Sequence, residues 1–245
     1  MDRMLFISMS GAKEISLSQA NNTNNLANAN TDGFKRDFNQ FRTQHVEGPG
    51  WNSRAYAMNE RPATDFSPGA IKVTGRNLDV VTKENGFLTV LAPDGTEALT
   101  RTASLRVNPE GELVDAKGDA VLNVGGSPIA LPEYKVIEIS ADGTLSVIPS
   151  DSQNDLMVEI DQIRMVTPDI KQLEKGLDGY IRSKENGLEQ GNVILVSGAL
   201  EASNVSTVAA LTKMIELSRQ YEMQIKMMKV AKDHSQKSDS LVKLT

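Results

Sequence analysis

The chain has 245 residues, 39% of them hydrophobic, with 26 Lys and Arg against 32 Asp and Glu for a net charge of −6. That length supplies one elaborated domain or two modest ones with a real core, and the charge balance excludes both a basic nucleic-acid-binding protein and a disordered tail. The absence of cysteine excludes disulfides, thiolate metal sites and cysteine nucleophiles, and two histidines, His45 and His234, leave little for metal or acid–base chemistry, so no cofactor is expected.

The stretch from Met1 to Gly11 carries Asp2 and Arg3 in its first turn and lacks a basic segment followed by a long apolar one. It does not read as a cleavable secretory signal. No window reaches the roughly 18 uncharged apolar residues of a membrane span. Leu5, Met9, Ala12, Ile15 and Leu26 form an apolar stripe that predicts an N-terminal helix, with a stop at Gly33 after Asn30, Thr31 and Asp32. Ser8, Gln19 and Asn22 interrupt the stripe, so it is expected to draw burial from neighbouring molecules. Six asparagines fall between Asn21 and Asn30. Asn21 with Asn25, and Asn24 with Asn28, stand at i,i+4 on one helix face, where amides can satisfy one another across a crowded interface without burying charge.

Pro49, Pro62 and Pro68, with Gly48, Gly50 and Gly69, predict an extended or irregular connector over residues 44 to 75. The period then changes. Turn dipeptides at Asn85-Gly86, Asp94-Gly95, Glu110-Gly111, Lys117-Gly118, Gly125-Gly126 and Asp142-Gly143 flank short β-rich runs. Strands are predicted at Phe87 to Leu91, Leu105 to Val107, Val121 to Val124, Val136 to Ile139, Leu145 to Ile148 and Met157 to Val166.

All nine prolines lie between Pro49 and Pro168, and the last glycine is Gly198. Because proline costs about 3 kcal/mol and glycine about 1 kcal/mol inside a helix, the tail beyond Gly198 predicts one long helix capped by Ser203 or Asn204. Leu211, Met214, Ser218, Tyr221, Ile225 and Met228 follow a 3,4 spacing that predicts a coiled-coil-like seam, and Glu222 with Lys226 an i,i+4 ion pair. The expected class is α+β: paired N- and C-terminal helices, coiled-coil-like, with a central all-β domain inserted between them. Its parts are residues 1–40 with 199–245 (helical), 41–75 with 167–198 (connector) and 76–166 (β). Charge follows this division. Residues 1–48 and 199–245 sum to +2 and the middle to −8.

The stretch Asn22-Thr23-Asn24-Asn25-Leu26-Ala27-Asn28-Ala29-Asn30-Thr31-Asp32-Gly33-Phe34-Lys35-Arg36 resembles the N-terminal signature of the bacterial flagellar rod and hook proteins. Gly198-Ala199-Leu200-Glu201-Ala202-Ser203-Asn204-Val205, followed by Met214-Ile215-Glu216-Leu217-Ser218-Arg219-Gln220-Tyr221-Glu222-Met223-Gln224, resembles the C-terminal helix of the same family. The runs Thr74 to Val80, Gly86 to Val90, Leu99 to Arg101 and Gly111 to Val114 resemble its β domain, with packing substitutions at Leu88, Leu99 and Ala103. Length, the Met1-Asp2-Arg3 start and Ser10-Gly11-Ala12 favour the proximal over the distal rod members.

The resemblance implies a structural subunit whose terminal helices pair and pack with neighbours into an axial tube that carries torque across the periplasm. It also implies delivery by the flagellar type III export apparatus without a cleavable signal. The partners it implies are other rod proteins and copies of the chain itself, not nucleic acid, membrane or a small-molecule substrate. Leu5, Met9, Ala12, Ile15, Asn21, Asn24, Asn25, Leu26 and Asn28 of the first helix are expected at the assembly interface. The seam from Leu211 to Met228 joins them. The rival reading is a periplasmic hydrolase using a carboxylate pair, Glu110 with Glu112 or Asp142 with Asp151. Both pairs sit in turn regions where acids are usual.

Overall fold

The computed structural model describes residues 3–45, 55–151, 155–176, 178–184 and 187–242, and in it the chain divides into two units. The glycine–proline run at residues 48–50 lies outside the described residues. The first unit comprises Met1–Ala29, Lys35–Asp65 and Val205–Thr245. Its elements are helix α1 (Arg3–Ala27), strands β1 (Asp37–His45) and β2 (Ala55–Thr64), and helix α2 (Thr207–Val242). α2 has 36 residues and so a length of about 54 Å. It begins later than expected: Ser206, whose Oγ accepts from the Ala209 N–H at 3.4 Å, takes the capping position instead of Ser203 or Asn204.

Three contacts give the direction of the helices. Asn22 Nδ2 donates to the Ala210 carbonyl at 2.8 Å, Gln19 Nε2 to Ser218 Oγ at 3.3 Å, and a Cβ placed on Gly11 would lie 3.2 Å from the Gln224 side chain. As residue numbers fall along α1 they rise along α2, so the two helices run antiparallel. β1 and β2 form an antiparallel pair from Asp37 opposite Thr64 to His45 opposite Ala55. Part of the stretch read as connector is therefore hydrogen-bonded ladder.

The second unit comprises Asn30–Phe34 and Phe66–Asn204. Its strands are β3 (Ile71–Val73), β4 (Asp79–Thr82), β5 (Phe87–Leu91), β6 (Glu97–Thr100), β7 (Thr102–Ser104), β8 (Arg106–Val107), β9 (Leu113–Val114), β10 (Ala120–Val121), β11 (Tyr134–Ile139), β12 (Thr144–Pro149), β13 (Val158–Gln162), β14 (Met165–Val166), β15 (Leu173–Lys175), β16 (Ile181–Ser183), β17 (Leu195–Ser197) and β18 (Ala199–Glu201). The largest sheet runs β15-β16-β6-β5-β10-β9-β8 with β14 beside β5; smaller sheets are β11-β12-β13, β17-β4-β7 and β18-β3.

Alternation places the core. On β12, Leu145 and Val147 are buried while Ser146 is not, and the main cluster adds Val80, Leu88, Leu105, Leu113, Val121, Ile129 and Ile163. A second cluster of Phe87, Leu99, Val166, Leu173 and Ile181 lies across β5, β6 and β14–β16. At five of the six turn dipeptides the second glycine has a positive φ between 79° and 101°. Asn85-Gly86 differs. There Glu84 takes the left-handed conformation, φ 54°, and Gly86 is required because a Cβ would lie 2.2 Å from the Val193 side chain. The run Met157 to Val166, read as one strand, divides into β13 and β14, which join different sheets.

Candidate assembly interface

α1 presents three faces. Ser10, Glu14, Ser18, Asn21 and Asn25 form a polar stripe along one side at i, i+4, i+8, i+11, i+15. This stripe meets the β hairpin. Ser10 Oγ donates to the Ala57 carbonyl, Asn21 Nδ2 donates to Asn39 Oδ1, and Asn39 Nδ2 reaches Ser18 Oγ at 3.4 Å. Asn25, buried, closes a two-bond ring with one residue of β1: its Nδ2 donates to the Asp37 carbonyl at 2.6 Å and its Oδ1 accepts the Asp37 N–H at 2.9 Å. An amide carries donor and acceptor on one plane, so it can replace a missing neighbour strand at the end of a ladder. Asn25→Ala removes both bonds and is expected to destabilise the first unit by about 1–3 kcal/mol. Amide exchange at Asp37 should accelerate, with the second unit unchanged.

The second face of α1, with Ser8, Gly11, Ala12, Ile15, Gln19 and Asn22, meets α2. On α2 the covered positions are Ala210, Met214, Leu217, Gln224, Met228 and Ala231, again at heptad spacing. This interior is mostly small or polar. The third face of α1 carries Phe6, Met9 and Leu17, all exposed. On the side of α2 opposite its covered stripe stand Val208, Ile215, Met223 and Val230, with exposures of 75%, 56%, 55% and 45%. Each helix thus turns bulky apolar side chains outward as well as inward, and the inward set on α1 is mostly small or polar.

The residues expected at the interface distribute over these faces. Leu5, Met9, Leu211, Ser218, Tyr221 and Ile225 are exposed, as is Asn24. Ala12 and Asn25 are buried; Ile15, Asn21, Leu26, Asn28, Met214 and Met228 are half-buried. Asn28 Nδ2 donates to the Asn24 carbonyl at 2.9 Å and finishes the last turn of α1. Sequence reasoning missed Leu217 and the small residues Ala210 and Ala231; their signal was spacing, obscured at Ala210 by the bulkier Leu211 one position on. The Glu222–Lys226 pair does not form. Both side chains are exposed, where an ion pair gains little over hydration, and Lys213 instead meets Glu216 at 3.2 Å. Between α1, β1 and the start of α2 lies an open cleft of about 490 Å³ lined by Asn21, Asn22, Asn25, Phe38, Phe41 and Leu217 among others.

In the second unit, one residue gathers three separated segments. Glu201 is 1% exposed; its Oε2 accepts from Arg101 Nε at 2.9 Å and its Oε1 from the Gly69 N–H at 2.9 Å. Its carbonyl accepts the Gly33 N–H at 2.7 Å, and its own N–H donates to Thr102 Oγ1 at 3.1 Å. Arg101 also donates to the Glu84 carbonyl and stacks on the Phe87 ring, 5.6 Å to the centroid. Gly69 admits this closeness because a Cβ there would lie 1.9 Å from the Ala202 carbonyl oxygen. Residues 33, 69 and 201, the segments next to the helical unit in the chain, are therefore tied to one ion pair.

One carboxylate of each pair in the rival hydrolase reading is occupied in a turn. Asp142 accepts from the Thr144 N–H and hydroxyl, which hold its carboxyl below the usual carboxylate range, the opposite of what a general acid needs. Glu112 accepts from Asn108 Nδ2 at 3.2 Å.

A family model described as "Flagellar basal body rod FlgEFG protein C-terminal" matches residues 196–241, and one described as "Flagellar hook protein FlgE/F/G D1 domain" matches residues 83–147. The chain is 35% identical over 254 residues to the flagellar basal-body rod protein FlgF of Escherichia coli, and 34% identical to that of Salmonella typhimurium, covering 100% of each protein. It is 30% identical to the flagellar basal-body rod protein FlgG of Buchnera aphidicola from Baizongia pistaciae, over 87% of this chain and 90% of the relative. With its helices, its β unit and its full length all matched, the chain belongs to the flagellar basal-body rod protein family.

Proposed function

We propose that the chain is a structural subunit of the proximal rod of the flagellar basal body, with no enzymatic role, assembling through its helical unit into the axial tube that transmits torque across the periplasm. The observation that carries this reading is the apolar outward side of α1 and α2, which exposes Phe6, Met9, Ile215 and Met223 to solvent in a single copy. Several large apolar side chains exposed along the helices mark a surface for protein–protein contact. A contact between unlike faces that does not close generates a helix of subunits.

In this reading Leu5, Met9, Leu211, Tyr221 and Ile225 touch neighbouring rod proteins or further copies. Ala12, Ile15, Leu26, Met214 and Met228 hold the helices together as a coiled-coil-like pair, and Asn21, Asn25 and Asn28 hold α1 to β1 and close its end. Asn24 and Ser218 add polar contacts at the rim. Delivery is by the flagellar type III export apparatus. Electron microscopy of basal bodies from a strain lacking the protein should show rods interrupted at its position, and restored when the chain is supplied. Full-length rods in the deletion strain would overturn the reading.

A further inference from the structure

The first two turns of α1 have no polar side to turn toward water. Met4, Leu5, Phe6 and Ile7 are consecutive, so at about 100° per residue they point in every direction around the helix. All four are exposed, as is Met9, and no charged residue falls between Met4 and Ala12. A helix end that is apolar all round is built for burial, and in a single copy these five side chains remain in water.

The other end of the helix pair is recessed. The open cleft there is lined by Ala209, Ala210 and Leu217 of α2, Phe38 and Phe41 of β1 and Asn22 of α1, and both phenylalanines are exposed. The charged residues that line it, Arg36, Asp37 and Lys213, are already matched. Arg36 Nη2 lies 2.8 Å from Asp65 Oδ2, Asp37 Oδ1 accepts from Thr64 Oγ1 at 2.7 Å, and Lys213 meets Glu216 at 3.2 Å. Such a cleft favours an uncharged occupant, because a charged one would lose water there without gaining a new partner. Other exposed apolar runs of the chain are mixed with charge. Ile215 and Met223 stand among Glu216, Arg219 and Glu222, and Leu156 to Val158 lie between Asp155 and Glu159. The start of α1 is the run that matches the cleft in both respects, apolar and uncharged.

We propose that this cleft receives the first two turns of the first helix of the adjoining rod subunit, a protein of the same family with an apolar, uncharged helix start like Met4 to Met9. The entering side chains lie against Phe38, Phe41 and Leu217. A protruding end on one subunit and a recess at the far end of the next make a head-to-tail contact that does not close, as an axial stack requires. Phe6 and Asn22 are 16 residues apart on α1. Successive helical units are then displaced by roughly 24 Å along the helix axis. The inference rests on the rod reading and names the segment that fills one end of the helical unit.

Photocrosslinking from two walls of the cleft tests it in purified basal bodies. p-Benzoylphenylalanine replaces Phe41 in one full-length chain and Gln220 in another, both exposed. Each probe is expected to join the start of the first helix of another rod-family chain, located by mass spectrometry of the crosslinked peptides. Links to the second long helix or to the β unit of another chain overturn the proposal, and so does the absence of links between chains. Charge supplies a second measurement. Phe41→Asp should lower incorporation about tenfold or more and Phe41→Leu should not, while both melt as the unsubstituted chain does because Phe41 is exposed. Normal incorporation of Phe41→Asp overturns the proposal even where a bulky probe keeps its chain out of the rod, and so does equal loss with Phe41→Leu. Failure of the unsubstituted chain to enter basal bodies would instead count against the rod reading itself.

Discussion

Replacing Glu201 with alanine is expected to lower the stability of the β unit by about 3–5 kcal/mol, because it leaves the 6%-exposed Arg101 guanidinium without its counter-charge in a dry site. The Gly69 N–H loses its acceptor in the same step. For a chain of this size that corresponds to a fall of roughly 6–20 °C in melting temperature. Circular dichroism during thermal unfolding measures it. Arg101→Met combined with Glu201→Leu removes both charges together and should recover most of the loss, since apolar replacements of a buried pair are close to neutral. A Glu201→Ala protein that melts within 2 °C of the unsubstituted chain, taken as roughly the shift for 1 kcal/mol or less, would show that water or a neighbour solvates Arg101.

Ile225→Asp should leave folding of the single copy nearly unchanged and block assembly. Ile225 is 43% exposed, and substitutions at such positions usually shift stability by no more than about 0.5 kcal/mol. In an apolar contact between copies the carboxylate would lose water without gaining a partner, at about 2–3 kcal/mol or more, which lowers incorporation by roughly 30- to 150-fold. Leu217→Asp is the contrasting case. Leu217 is 5% exposed against α1, so its replacement should unfold the helical unit itself. Wild-type incorporation of Ile225→Asp, read by immunoblot of basal bodies, would remove that side of α2 from the interface.

Composition made the two long helices and the β character of the middle legible, because every proline lies between Pro49 and Pro168, no glycine follows Gly198, and Asp-Gly or Glu-Gly turns recur at strand spacing. Helix polarity was harder to read. Leu211 and Ile225 are the bulkiest candidates for a seam, and a search for large apolar residues at 3,4 spacing selects them. The helices meet through Met214, Leu217 and Met228 together with Ala210, Ala231 and Gly11, and the last three permit close approach but carry little hydrophobic signal. β4, β7 and β17 escaped notice because each has only three or four residues and is held by neighbours far along the chain, as Asp79 is by Ser104. Glu201 looked like one acid in a helical signature. Only the fold brings Gly33, Gly69 and Arg101 to it.

The inward placement of small and polar side chains along α1, and at Gln224 and Ala231 of α2, bears on where a finished polymer would be weakest. Ser8, Gly11 and Ala12 against Gln224 and Ala231 bury little apolar surface, so the pair gains comparatively little from its own closure. In an open polymer of such units, an interior copy has neighbours over both outward faces, while a copy at either end has one face still in water. End copies would fray first and interior copies last. The ends of a short stack would therefore need a different protein laid over them to reach the stability of its middle.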